Sequence, residues 1–91
     1  MNAERIARMR ERLLAAFAPV ELEIIDDSHL HAGHAGAREG KGHFTVRIQS
    51  DRFIGTTPLQ RHRLVYDALG TMMETDIHAL SVNARATKAA S

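Results

Sequence analysis

Histidine is the residue type whose number and spacing in this chain suggest chemistry. The 91 residues include six histidines and no cysteine. Without cysteine the chain cannot form a disulfide, and it cannot hold zinc or an iron–sulfur cluster through thiolates of its own. A metal centre would need imidazole or carboxylate ligands, or thiolates from a partner. Three of the histidines, His29, His31 and His34, lie in one glycine-rich segment.

His78 stands at the head of an alternating segment, residues 77–84, that predicts a strand. The two-residue period puts His78 on the same face as Leu80 and Val82, which we expect to be buried. Spacing alone favours a histidine that completes the core and hydrogen-bonds locally. By the same standard, His31 would be a solvated loop residue.

No pairing of a nucleophile with a base is recognisable in the sequence. Ser28 lies near histidines, but nothing resembles a nucleophile elbow or an oxyanion-stabilising glycine loop. Residues 33–36 fit the GxxG string of nucleic-acid-binding KH domains, yet they join two predicted strands instead of two helices. We therefore expect no enzymatic activity and no small-molecule substrate.

Composition predicts one folded, water-soluble domain over residues 1–91. The chain is 44% hydrophobic and 25% charged, with a formal net charge of +1, and it has no apolar run long enough to span a bilayer. The near-neutral charge makes a weak electrostatic case for nucleic-acid binding. Residues 3–17 read as an amphipathic helix and not as an export signal, so we expect a cytoplasmic protein without membrane contact.

Alternation and turn signals predict the elements that position the histidines. Asn2 suits the N-cap of the first helix, and strands are predicted at residues 20–26, 43–50 and 77–84. Residues 28–42 contain four glycines and predict a long loop, and residues 85–91 are expected to be frayed.

The principal helix has the clearest start signal in the sequence. Thr57 suits the N-cap, Pro58 the first helical position, and Gln60 completes a capping box. Apolar spacing extends this helix to about Met73, with Gly70 weakening it by roughly 1 kcal/mol. The resulting order is αββαβ: an α+β domain whose three-stranded mixed sheet is covered on one face by helices.

Five short strings, in this order, resemble the BolA family over residues 6–84. They are Asp26-Asp27-Ser28 with His31, His43-Phe44, Phe53 with Gly55, Arg61-His62-Arg63 with Val65-Tyr66, and Ile77-His78-Ala79-Leu80. The resemblance implies a fold akin to the type II KH domain. It also implies that His78 is an iron ligand and that His31 is the second, with His29 and His34 as alternatives for that second role.

The resemblance implies a non-enzymatic partner of a monothiol glutaredoxin. Histidines of this chain, a cysteine of the partner and the thiol of glutathione would together hold a bridging [2Fe-2S] cluster. We expect no cluster in the isolated protein. Iron–sulfur trafficking or iron regulation is the implied role.

DNA is the alternative partner, because some members of the family are described as transcriptional regulators. Arg52, Arg61 and Arg63 are the candidates for a basic surface, which could also dock a partner carboxylate. His62, one turn before Val65, is expected to play a structural role and to bond across to the sheet.

Overall fold

The computed structural model describes residues 2–28 and 41–88. In chain order the elements are helix α1 (Asn2–Phe17), strand β1 (Glu21–Asp26), strand β2 (Gly42–Ser50), a short 3₁₀ helix (Asp51–Phe53), helix α2 (Pro58–Leu69), a one-turn helix α3 (Met72–Thr75) and strand β3 (Ile77–Ala86). The predicted α+β class and order of elements are confirmed. Most of the predicted glycine-rich loop, residues 29–40, lies outside the described residues.

The three strands form one mixed sheet in the order β1-β2-β3. β1 runs antiparallel to β2, and β3 runs parallel to it, so α2 and α3 form the crossover that a parallel pair requires. The helices pack against the face that carries Phe44, Val46 and Ile48, each at most 2% exposed. Because β2 is central, residues 44–49 are paired with a strand on each side, whereas Gly42 and His43 are paired with β3 alone.

The predicted start of α2 is confirmed. The Thr57 hydroxyl accepts from the Gln60 amide, and the Gln60 side chain accepts from the Thr57 amide, with Pro58 in the first turn. The predicted end is wrong: α2 stops at Leu69, and Gly70 adopts φ 57° and ψ −130° as its C-cap. Gly70 therefore ends a helix instead of weakening one.

In the part of the chain that the structure describes, no helix is long and apolar enough to cross a membrane.

Two terminal predictions also need correction. Asn2 is not a cap but a residue of α1, and its side-chain amide donates to Asp26 and Ser28 instead. At the other end, Arg85 and Ala86 are not frayed, because they continue β3 opposite the last two residues of β2. Thr87 still donates its amide to the Ser50 carbonyl at 3.3 Å, and residues 89–91 lie outside the described residues.

Candidate metal-binding site

His78 lies where the pairing between β2 and β3 changes register. Gly42 pairs with Ile77, whereas the next residue, His43, pairs with Ala79. His78 is thus an extra residue on β3, and such a bulge re-aims the side chain that it carries. The prediction that His78 shares a face with Leu80 is wrong: Ile77 and Leu80 turn inward, and His78 and Ala79 are exposed.

His43 is the neighbour of His78 across the sheet. The centroids of the two imidazole rings lie 5.1 Å apart, and the rings are inclined at 56°. His43 is buried, at 4% exposure, whereas His78 is open to solvent. The site therefore pairs one imidazole held within the fold with one that a partner can reach.

His43 is a site residue that was not predicted, since the sequence places it only in the His43-Phe44 string. A signal was present, since His43 and His78 each lie near the start of a predicted strand. In a parallel pair, strand starts meet at the same edge of the sheet. The parallel order of β2 and β3 thus brings the two histidines together.

Hydrogen bonds hold the backbone at His43 against the end of β1. The His43 amide donates to the Ser28 hydroxyl at 3.1 Å, and the Ser28 amide donates to an Asp26 carboxylate oxygen at 2.9 Å. The Asp27 amide donates to the carbonyl of His43 at 2.8 Å. These bonds hold Asp27 and Ser28, which precede residues 29–40, close to His43, which follows them.

Asp76 holds the chain two residues before His78. The Asp76 carbonyl accepts from the Gly42 amide at 2.9 Å. A single carboxylate oxygen accepts from Arg5 at 3.1 Å and from Arg8 at 2.8 Å. The hydrogen bond from the Thr75 hydroxyl lowers the pKa of Asp76, burial opposes that effect, and the hydrogen bonds from the two arginines lower the pKa further. Asp76 is thus stabilised as a carboxylate.

The described residues do not form a complete coordination sphere. Among residues 2–28 and 41–88, no group of three or more histidine, cysteine, aspartate or glutamate side chains is arranged to hold a metal ion. His43 and His78 offer two imidazole nitrogens, a donor type that suits iron and, in some two-iron centres, replaces two thiolates. The donor chemistry therefore fits a cluster that is completed from elsewhere. His29, His31 and His34 lie outside the described residues.

The predicted basic surface divides into one internally bonded arginine and two exposed ones. The Arg61 guanidinium donates to the Thr56 hydroxyl and carbonyl at 3.0 and 3.2 Å, and to the Ala84 carbonyl at 3.1 Å. Arg61 thereby ties α2 to β3. Arg52 and Arg63 are exposed.

His62 does not make the predicted bond across to the sheet. It is exposed on α2, and its ring centroid lies 6.4 Å from that of Tyr66. The neighbouring Arg61 provides the link to β3 instead.

Comparison with known proteins identifies the family. Residues 13–89 match the model of the BolA-like protein family. The chain is 46% identical over 83 residues to SufE-like protein 1, chloroplastic/mitochondrial, of Arabidopsis thaliana, covering 86% of this chain and 22% of that protein. It is 43% identical over 76 residues to the DNA-binding transcriptional regulator BolA of Escherichia coli, covering 84% and 70% respectively.

Solved structures agree with this assignment. The BolA domain of SufE1 from Arabidopsis thaliana superposes with a TM-score of 0.79 at 43% identity, covering 90% of this chain and 91% of that chain. The chain spans only about a fifth of the full SufE-like relative, so the likeness concerns the domain and not the whole of that protein. The chain described here belongs to the BolA-like family.

Proposed function

We propose that this protein is a non-enzymatic, cytoplasmic partner of a monothiol glutaredoxin in iron–sulfur trafficking or iron regulation. Together the two proteins would hold a bridging [2Fe-2S] cluster, with imidazole ligands from this chain and thiolates from the partner's cysteine and glutathione. The observation that carries the proposal is the exposed ring of His78 beside the ring of His43. A chain without cysteine needs a partner to complete such a site.

His78 is the dominant ligand in this proposal. Its backbone lies within β3, so only its side chain has to be ordered when its ring binds. His31 is the second ligand that the family resemblance implies, with His29 and His34 as alternatives. His43 becomes a further candidate because it adjoins His78.

The test uses the mixed complex with a monothiol glutaredoxin, iron, sulfide and glutathione. We expect His78→Ala to abolish the visible absorption and circular dichroism of the shared cluster. His31→Ala should leave a weaker or altered spectrum, because neighbouring histidines can substitute. His43→Ala tests whether His43 is a ligand or only supports His78. If His43 is a ligand, the variant should change the spectrum of the cluster. If it is a support, the variant should shorten the lifetime of the cluster without changing its spectrum.

His62→Ala is the matched control for these variants. It removes an exposed imidazole on α2, so it accounts for any general effect of losing a histidine. The proposal fails if His78→Ala retains the wild-type spectrum and cluster lifetime. His78 would then be an exposed strand residue without a metal role.

DNA binding is the second candidate function, because the chain is similar to the DNA-binding transcriptional regulator BolA of E. coli. Arg52 and Arg63 would provide the basic contacts. Against it, Pro58 and the capping box of Thr57 and Gln60 occupy the helix N-terminus that could otherwise grip a phosphate. The formal net charge of +1 adds little electrostatic attraction between this chain and DNA.

Salt dependence separates the two functions. A DNA-binding role predicts that log K falls against log salt with a slope of about −0.9 for each phosphate contacted. Arg52→Ala and Arg63→Ala should then each reduce that slope, and Arg10→Ala, an exposed arginine of α1, serves as the control. We expect weak binding to duplex DNA at physiological salt. Nanomolar, sequence-selective binding would reverse the ranking.

A further inference from the structure

Arg5 of α1 connects to the two strands that carry the histidines. Its Nε atom donates to the Asp76 carboxylate at 3.1 Å, next to the start of β3. Its Nη1 atom donates to the side-chain oxygen of Asn2 at 2.9 Å. A guanidinium can do this because it is a rigid planar fork with donors in two directions. The Arg5 side chain is only 21% exposed, so it forms part of the packed structure.

Asn2 extends the connection to His43. Its Nδ2 atom donates to an Asp26 carboxylate oxygen at 2.8 Å and to the Ser28 hydroxyl at 3.2 Å. The same hydroxyl accepts the amide of His43 at 3.1 Å. The hydrogen bonds thus run without a break from Asp76, through Arg5, Asn2 and Ser28, to the backbone of His43.

The apolar face of α1 does not require this network for docking. Met9, Leu13 and Phe17 are at most 5% exposed and hold the helix on the sheet over its last two turns. The polar bonds lie at the opposite end of α1, beside the two histidines. Their position indicates a role in fixing the relative placement of the strand starts at the site.

We propose that Arg5 is a positioning residue that sets the spacing between the His43 and His78 rings. Through Asp76 it restrains the chain leading to His78, and through Asn2 and Ser28 it restrains His43. A role for this spacing in cluster binding rests on the proposed function, but the spacing itself is a property of the isolated protein. Loss of a group that is hydrogen-bonded to a ligating side chain lowers metal affinity roughly 10- to 100-fold; this network reaches the His43 backbone and not its ring, so we expect an effect at the lower end of that range.

The test is the contact between the two imidazole rings in the isolated protein, measured by nuclear Overhauser effects between their ring protons. Arg5→Ala should lose or strongly weaken this cross-peak and shift both ring resonances. Asn2→Ala breaks the path to Ser28 but leaves the ion pair of Arg5 with Asp76. It should weaken the same cross-peak, and it keeps the test usable if Arg5→Ala does not fold.

Arg12→Ala is the matched control. Arg12 also lies on α1 and donates across to another element, at 2.7 Å to the Leu69 carbonyl, but its contact is to the end of α2. Its loss should lower the melting temperature without altering the ring cross-peak. If Arg5→Ala and Asn2→Ala both kept the wild-type cross-peak, the positioning role would be overturned.

The proposal and the proposed function can fail separately. The ring contact in the isolated protein decides the role of Arg5, whereas the His78→Ala spectrum in the mixed complex decides whether the site holds a cluster. If both hold, the cluster in the complex with Arg5→Ala should be lost roughly tenfold faster than in the wild-type complex, while Arg12→Ala should leave that rate unchanged.

Discussion

Gly42 lies at the start of β2, where the ring of Phe44 occupies the space that a Cβ atom would need. A Cβ at Gly42 would stand 2.4 and 2.5 Å from two carbon atoms of that ring. Carbon atoms in contact normally lie about 3.5 to 4.0 Å apart. Gly42→Ala therefore requires the ring, or the strand that carries it, to move by about 1 Å or more. The ring has little room, because Phe44 is only 2% exposed.

We expect Gly42→Ala to destabilise the protein by about 2 kcal/mol, within the 1 to 3 kcal/mol typical of overpacked cores. For a domain of this size the melting temperature should fall by roughly 8 to 16 °C. Guanidinium denaturation of the isolated protein measures the free energy of unfolding directly. The double variant Gly42→Ala with Phe44→Leu provides the control, because leucine lacks the ring atoms that the new Cβ would meet.

In the Phe44→Leu background, Gly42→Ala should cost much less than in the wild-type protein, with a coupling energy of at least about 1 kcal/mol. Additive costs would refute the reasoning, because they would mean that the ring is not the obstacle. Wild-type stability of Gly42→Ala alone would refute it as well. The result matters for the site, because the Gly42 amide bonds to Asp76 and the next residue is His43.

Two further predictions concern the end of α2 and the carboxylate of Asp76. Gly70→Ala should destabilise by about 1 to 3 kcal/mol, because its positive φ strains any side chain and the new Cβ would lie 3.1 Å from Arg12; a raised melting temperature would instead indicate a glycine inside a helix. The lowered pKa of Asp76 means that its contribution is complete above the usual aspartate pKa of about 3.9 and is lost as pH falls through the lower folded value. Asp76→Asn should therefore flatten the acid dependence of the unfolding free energy, and an unchanged dependence would contradict the assignment.

The elements that the sequence predicted are those whose signals are local. Alternation located all three strands to within two residues, and the capping box located the start of α2. The end of α2 was missed because a glycine inside a helix and a glycine that ends one look alike along the chain. In the folded protein Gly70 has a φ of 57°, and the Leu69 carbonyl accepts a hydrogen bond from Arg12 of α1; neither feature can be read along the chain.

The geometry of the site depends on pairing between strands, so it was harder to predict from the sequence. A two-residue period assumes an unbroken strand, whereas the register shift between Gly42 and His43 makes His78 an extra residue and turns it outward. The contact between His43 and His78 likewise needs the parallel register of β2 and β3. Residue types and strand starts pointed to both histidines, but only the sheet determines that their rings meet.

The opposite burial of the two histidines has a consequence for how a metal centre could be shared. A ligand that a partner's thiolates must join has to be reachable, and His78 is exposed because the bulge turns it out of the core. A ligand that is to keep its position without a bound metal has to be held by the fold, and His43 is 4% exposed, with its backbone bonded to Ser28 and Asp27. An exposed side chain loses conformational entropy when the complex forms, whereas a buried ring has already lost that entropy when the protein folded. A site with one imidazole of each kind can therefore be open to a partner and still be half organised before the partner arrives.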